Sequence, residues 1–165
     1  MKNWNLKNIL KELAITLIMI FVLSMSLNYL RQPDSTHQPK PMKVKLIDGK
    51  EVDLYADDQV TMIHFWATWC PTCKLEAPNI ERIQKDLHLI TVAVNSGSEQ
   101  ELANFMTQEG YHYPVVNDRE GLLAKKFDVG VFPTTFIYDK NGLLKFSEVA
   151  YSTTLGLKAR IELIE

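Results

Sequence analysis

Residues 60–73 of the chain have the sequence VTMIHFWATWCPTC, and Cys70 and Cys73 are the only cysteines among its 165 residues. The apolar run over residues 60–67 has the length and composition of a buried central strand. A helix that begins at the cysteine motif places the first sulfur at the positive end of the helix dipole, where a thiolate is stabilised. The stretch therefore predicts a strand that runs into a helix carrying a dithiol suited to disulfide exchange.

The cysteine pair has three alternative interpretations. A structural zinc site needs four Cys or His ligands, and the histidines stand singly at positions 37, 64, 88 and 112. A structural disulfide across so short a loop would remove little entropy from the unfolded chain. A copper-binding or metallochaperone module would use both cysteines and one histidine, because soft thiolates suit Cu(I). Redox exchange is favoured over all three, and no resident cofactor or metal is expected.

The N-terminal region predicts a membrane anchor. Residues 13–30 contain no charged side chain, and Lys2, Lys7 and Lys11 precede them. As a helix, this segment would be about 27 Å long, close to the thickness of the hydrocarbon core of a bilayer. The positive-inside rule then predicts that residues 1–12 are a cytoplasmic stub and that the rest of the chain is exported.

A cleaved signal peptide is the competing interpretation of this region. Ser24 and Ser26 have the spacing of small residues at a cleavage site, which would follow Ser26. The apolar core is longer than in most signal peptides and continues to Leu30, which favours an uncleaved signal anchor. Both interpretations export the remainder of the chain to a compartment in which disulfides can persist.

The exported part divides into a linker and one domain. Residues 31–42 are polar and contain three prolines, which predicts a semi-extended tether, and the domain is expected over residues 43–165. The formal net charge of the whole chain is −2, and no basic run is present. The charge pattern therefore gives no reason to expect a nucleic-acid partner.

Strand and helix patterns alternate along the domain. A hairpin is predicted around Asp48-Gly49, and the helix after Cys70 contains Pro78 and apolar residues at Leu75, Ile80, Ile83 and Leu87. The later elements are a strand over 89–94, a helix with a Ser98–Glu101 capping box that ends at Gly110, a strand over 113–116, a short helix over 122–127, a hairpin of strands 134–138 and 143–146, and a last helix from Thr153 or Thr154 to about Ile164. This order predicts an α/β fold with a mixed central sheet and helices on both faces.

Two stretches resemble the thioredoxin superfamily and, within it, the TlpA-like membrane-anchored thioredoxins. They are residues 65–78, FWATWCPTCKLEAP, and residues 130–137, GVFPTTFI. The resemblance covers residues 43–165 and implies a thioredoxin fold. The ending over residues 153–160, TTLGLKAR, resembles the suppressor-of-copper-sensitivity D type of protein disulfide oxidoreductase.

The resemblance implies an enzyme that exchanges disulfides with protein cysteine pairs. Cys70 would be the attacking thiol and Cys73 the resolving thiol of one redox-active disulfide. A cis peptide bond before Pro133 is implied too, with an extended substrate docked against Phe132, Pro133 and Thr134. Because the chain carries no electron source, a membrane protein or another thioredoxin-like protein would reset the pair. We expect a single-pass protein of the bacterial cytoplasmic membrane, with its N-terminus inside and its domain in the periplasm or extracytoplasmic space.

Three neighbours of the cysteines are further candidates for the site. Trp69 is expected to be partly exposed, to shield the disulfide and to contact substrate. His64 stands where thioredoxins carry a buried aspartate, and it is either a proton acceptor for Cys73 or a satisfied core histidine. Glu76 lies three residues after Cys73, where reductive TlpA-like proteins often carry a glutamate near the thiols. A solvated acid in the first helical turn is the alternative for Glu76.

Overall fold

The structure, a computed structural model, describes residues 6–31, 42–56, 58–85 and 87–164. The chain divides into two compact units, one within residues 1–32 and the other within residues 33–165. The first unit contains a single helix among its described residues, α1 (Leu6–Arg31).

Helix α1 bears directly on the predicted anchor. Its large apolar side chains between Leu10 and Leu23 are exposed. No helix in the parts of the chain that the structure describes is long and apolar enough to cross a membrane. The predicted transmembrane segment over residues 13–30 includes side chains outside the described residues, and the predicted linker over residues 31–42 lies outside them except at its two ends. Both assignments stay predictions.

The second unit has seven strands and four helices among its described residues. In chain order these are β1 (Lys43–Lys45), β2 (Glu51–Asp53), β3 (Thr61–Trp66), α2 (Pro71–Ile83), β4 (His88–Val94), α3 (Glu99–Glu109), β5 (Val115–Asp118), α4 (Leu122–Lys126), β6 (Thr134–Tyr138), β7 (Leu144–Val149) and α5 (Thr154–Glu162).

Five of the strands form one mixed sheet in the order β5-β4-β3-β6-β7. Strands β3, β4 and β5 are parallel, whereas β6 is antiparallel to both β3 and β7. Strands β1 and β2 form a separate antiparallel hairpin, which meets the edge of the sheet through a bridge between Leu46 and Val116. Strand β3 therefore occupies the centre of the sheet, and all six of its residues are buried.

The two faces of the sheet carry separate hydrophobic clusters, because successive strand residues point to opposite faces. Met62 and Trp66 belong to the cluster that includes residues of α2, α3 and α5. Ile63 and Phe65 belong to the cluster that includes residues of α4 and of the β1–β2 hairpin. The predicted mixed sheet with helices on both faces is confirmed, and β3 is the buried central strand expected over residues 60–67.

Three details of the sequence interpretation are wrong. Helix α2 ends at Ile83, so Leu87 lies after the helix and not within it. Leu75 falls near helical spacing with Ile80 and Ile83, but it is 71% exposed and not buried with them. It lies two residues after Cys73, about 200° around the helix axis from the face that Cys73 and Ile80 share.

Strand β5 begins at Val115 rather than at residue 113. Pro114 has no N–H for the ladder, and only its carbonyl takes part, accepting from the Thr91 N–H at 3.0 Å.

Helix α3 begins with the predicted capping box. The Ser98 hydroxyl accepts the Glu101 N–H at 3.3 Å, and the Ser98 N–H donates to the Glu101 carboxylate at 2.8 Å. We expect Ser98→Ala to lower the free energy of unfolding by about 1 kcal/mol, because one N–H of the first turn loses its partner. Urea denaturation of the full-length protein measures this loss. Gln100→Ala, an exposed change in the same helix, should cost less than about 0.5 kcal/mol; equal losses would contradict a capping role for Ser98.

Candidate active site

The two cysteines lie at the start of α2 and form a disulfide, with their Cα atoms 5.3 Å apart. Cys70 is the N-cap residue of the helix, with extended backbone angles, and Pro71 is the first helical residue. The Cys70 sulfur accepts the backbone N–H of Cys73 at 3.2 Å. Both cysteines are buried. The sulfur of Cys70 therefore occupies the position at which a helix N-terminus stabilises negative charge.

The loop between β3 and α2 is fixed by the loop that follows β4. The Thr68 N–H donates to the hydroxyl of Ser96 at 3.0 Å, and that hydroxyl donates to the Val94 carbonyl at 3.0 Å. The indole N–H of Trp69 donates to the Asn95 carbonyl at 3.1 Å. These bonds hold the residues before Cys70 between two strand ends, so that the start of α2 has a defined position.

The predicted substrate-contact residues lie beside the disulfide. The Phe132–Pro133 peptide bond is cis, as expected. The carbonyl oxygen of Phe132 lies 3.7 Å from the Cys70 sulfur. Trp69 is 58% exposed, and its ring contacts that of Phe132 edge to face, with 5.7 Å between centroids. Thr134 is buried, and its hydroxyl donates to the Val131 carbonyl at 2.8 Å.

His64 is buried in β3, opposite Thr135 of β6. Its Nδ1 atom lies 2.9 Å from the Thr135 hydroxyl. Burial lowers the pKa of His64 to about 3, because the charged imidazolium is poorly solvated there. The imidazole is therefore neutral around pH 7 and has a hydrogen-bond partner.

Glu76 is also fully buried, so the interpretation as a solvated first-turn acid is wrong. Its Oε1 atom accepts the Ser152 N–H at 3.1 Å, and its Oε2 atom has no hydrogen-bond partner among the described residues. Burial raises the pKa of Glu76 to about 8, although the Ser152 N–H acts in the opposite direction. Glu76 follows Cys73 by three residues on α2, and residues at this spacing are neighbours on a helix surface.

Sequence reasoning missed three contributors to the site. Thr135, the partner of His64, lies within residues 130–137. The pairing of the central strand with the second hairpin was the signal that could have found it. Ser96 and Asn79 carried no signal of their own. Both are polar and buried, and their partners lie far away in the sequence: Ser96 binds the loop before Cys70, and Asn79 binds the segment after β7.

The metal-site alternatives receive no support from the geometry of the described residues. Across these residues, no group of three or more His, Cys, Asp and Glu side chains is placed to hold a metal ion. His64, one of the histidines considered as a third ligand, uses one ring nitrogen at Thr135.

Comparison with known proteins connects this geometry to a family. Residues 36–147 match the AhpC/TSA family. A thioredoxin-like protein of Haemophilus influenzae is 26% identical over 159 residues, which cover 94% of this chain and 95% of the relative. The sporulation thiol-disulfide oxidoreductase A of Bacillus subtilis is 30% identical, with 73% of this chain and 77% of the relative covered. The crystal structure of StoA from Bacillus subtilis superimposes with a TM-score of 0.66 at 27% identity, covering 74% of this chain and 96% of that chain. The implied thioredoxin fold is confirmed.

Burial of Glu76 predicts that stability falls as the pH rises toward 8. Between the ordinary pKa of 4.5 and the raised value of about 8, the folded state keeps a proton that the unfolded chain has released. His64 acts oppositely between about pH 3 and 6.5, because its pKa is lowered by burial. Of these two effects, only that of Glu76 continues above pH 6.5. We expect the free energy of unfolding of the oxidised protein to fall by on the order of 1 kcal/mol per pH unit up to about pH 8.

Chemical denaturation of the full-length oxidised protein from pH 6.5 to 9 tests this dependence. Glu76→Gln should remove the fall, whereas Glu120→Gln at an exposed position should retain it. A fall of the same size in Glu76→Gln would assign the effect to another group.

Proposed function

We propose that this chain, which belongs to the AhpC/TSA family and is a thiol–disulfide oxidoreductase of the thioredoxin-like class, exchanges disulfides with cysteine pairs of proteins outside the cytoplasm. Cys70 is the attacking residue and Cys73 the resolving residue. The observation that carries the assignment is the N–H of Cys73 bonded to the Cys70 sulfur at the helix N-terminus. When the disulfide is reduced, this contact and the helix dipole favour the thiolate of Cys70.

The exchange proceeds in two displacements. The Cys70 thiolate attacks one sulfur of a substrate disulfide; a mixed disulfide forms, and the other substrate sulfur leaves with the electron pair and takes up a proton. Cys73 then loses its proton and attacks the Cys70 sulfur. This closes the Cys70–Cys73 disulfide and releases the second substrate thiolate. The substrate gains two electrons and the protein loses them, and the reverse sequence oxidises a substrate dithiol.

Glu76 is the group best matched to move the proton of Cys73. Its pKa of about 8 lies close to the ordinary thiol pKa of about 8.5, so that a proton passes between the two groups at little cost. The Oε2 atom of Glu76 is free of hydrogen bonds to the described residues. His64, with a pKa of about 3, is a much weaker proton acceptor, and its role is to fill the core beside Thr135.

Substrate docking is proposed at Phe132, Pro133 and Thr134, with Trp69 at the border of the site. The Phe132 carbonyl lies next to the Cys70 sulfur, at the place where the backbone of an extended substrate would pair. The exposed face of Trp69 offers apolar contact to the substrate residues on either side of the cysteine.

A membrane anchor formed by residues 13–30 is part of the proposal. It is supported by the 18 uncharged residues of this segment and by the lysines that precede it. The domain would then face the periplasm or another extracytoplasmic space of a bacterium, tethered to the cytoplasmic membrane. A membrane protein or a thioredoxin-like protein in the same compartment resets the pair, and the ending over residues 153–160 favours the suppressor-of-copper-sensitivity D type.

The reduction potential of the full-length protein determines which direction is physiological. Equilibration with glutathione buffers of known ratio gives this value. A potential near −270 mV, as in thioredoxin, supports a reductant, and one near −120 mV supports an oxidant. A pair that does not equilibrate at all would contradict the proposed function.

The roles of the two sulfurs predict different outcomes for two serine variants. With reduced Cys73→Ser and a peptide that contains one disulfide, a mixed disulfide on Cys70 should accumulate, because the resolving thiol is missing. Cys70→Ser should form almost none. Mass spectrometry under non-reducing conditions measures both species, and accumulation on Cys73 in the Cys70→Ser variant would reverse the assignment.

The proton-transfer role of Glu76 predicts a slower reaction in Glu76→Gln. The rate at which Cys73 resolves the mixed disulfide at pH 7 should fall by about a hundredfold, within the range of general acid–base contributions. His64→Leu should change it by less than about threefold. Stopped-flow kinetics on the folded variants test both, and equal losses would restore His64 as a proton acceptor.

A further inference from the structure

We propose that Asn79 is a positioning residue, which holds the segment Tyr151–Thr154 against α2 so that the Ser152 N–H stays bonded to the carboxyl group of Glu76. This inference rests on the proposed function, in which Glu76 exchanges a proton with Cys73. Asn79 itself lies one helical turn beyond Glu76 and touches neither sulfur nor substrate.

The amide of Asn79 is buried and uses its full hydrogen-bonding capacity. Its Nδ2 atom donates to the Tyr151 hydroxyl at 3.0 Å and to the Ser152 carbonyl at 2.9 Å. Its Oδ1 atom accepts from the Thr154 hydroxyl at 2.8 Å and from the Arg82 guanidinium at 3.3 Å. Two donors and two acceptor sites are all that an asparagine side chain offers. Three of the four bonds reach the same short segment.

Ser152 is fixed through both of its backbone groups. Its carbonyl accepts from Asn79, and its N–H donates to Glu76. The N–H bond is the one hydrogen bond that the Glu76 carboxyl makes to the described residues. A hydrogen bond to a carboxylate stabilises the charged form, so the position of Ser152 sets how readily Glu76 takes and gives a proton. Asn79 thus acts on Glu76 through the segment.

Ala150, the one residue between β7 and the segment Tyr151–Thr154, links the segment to the reaction site. Its N–H donates to the Pro133 carbonyl at 2.9 Å. Ala150 has a φ of +78°, in the left-handed region that residues with a Cβ rarely adopt. Such a conformation persists only where surrounding contacts enforce it. The hydrogen bonds from Asn79 on α2 hold Tyr151 and Ser152, and so help to keep Ala150 in this conformation.

The titratable groups of α2, β3 and α5, which share one hydrophobic cluster, leave the Ser152 N–H as the adjustable influence on the pKa of Glu76. On α2, Cys73 is in the disulfide, and Arg82 binds Asn79. On β3, His64 is neutral around pH 7 because burial lowers its pKa. On α5, Arg160 pairs with Glu148 at 2.8 Å. The shift in the pKa of Glu76 arises from burial and from the Ser152 N–H, without a charged partner.

Direct titration of the Glu76 carboxyl tests the proposal. Full-length oxidised protein with 13C-labelled glutamate is titrated in detergent micelles, and the resonance that Glu76→Gln removes is assigned to Glu76. In Asn79→Ala, loss of the Ser152 bond should raise the midpoint by about one pH unit, the size expected for a hydrogen bond to a charged group. An unchanged or lowered midpoint would overturn the proposal.

Milder variants keep the test valid if Asn79→Ala folds poorly. Tyr151→Phe and Thr154→Val each remove one bond to Asn79 and should shift the midpoint upward by less than Asn79→Ala. Asn104→Ala changes an exposed helical asparagine, and Ile90→Val loosens the core of the other face. Both should leave the midpoint in place. A shift in Ile90→Val as large as in Asn79→Ala would reduce the effect to general loosening and overturn the positioning role.

Kinetics separate the role of Asn79 from the function of the whole site. The pH midpoint of disulfide exchange should move upward in Asn79→Ala, and it should not move further when Asn79→Ala is added to Glu76→Gln. A further movement in that background would contradict action through Glu76. If the wild type fails to exchange although the carboxyl titrates as expected, the proposed function fails and the contact stands. If the wild type exchanges and the carboxyl does not respond, the contact fails and the proposed function stands.

Discussion

The hydrogen bond from the Cys73 N–H to the Cys70 sulfur depends on where β3 ends and α2 begins. Strand β3 is buried on both faces, so its end cannot slip without moving apolar side chains to the wrong side of the sheet. The following loop is bonded to Ser96 and Asn95, which fix it at the end of the neighbouring strand. Disulfide chemistry at this position is therefore a consequence of how the centre of the sheet is packed.

Burial shifts the pKa values of the two ionisable groups near the site in opposite directions. A carboxyl group without a cationic partner becomes a weaker acid, and an imidazole in the same kind of environment becomes a weaker base. As a result, Glu76 and His64 are both uncharged around neutral pH, and the core beneath the disulfide carries no net charge. Of the two, only Glu76 can gain or lose its charge within the pH range in which thiols react.

Local patterns in the sequence were sufficient for the elements, and distant contacts were not available from it. Each of three patterns is contained within a few neighbouring residues: the apolar run before the cysteines, the Ser98–Glu101 capping box and the second hairpin. All three are present in the structure. Leu75 is exposed although it falls near helical spacing with the later apolar residues, because it lies about 200° around the helix axis from Cys73, on the side away from the core. The bonds between Asn79 and the segment after β7 join residues more than 70 positions apart, and no local rule pairs them.

The left-handed backbone of Ala150 limits which sequences this fold can accept at that position. A Cβ atom is already unfavourable there, and a β-branched side chain would add to the crowding, whereas glycine or asparagine adopts this conformation readily. The restriction comes from the main chain and is independent of the redox chemistry. Substitutions that are tolerated at position 150 should therefore be to small or turn-forming residues, even in related sequences that have lost the cysteines.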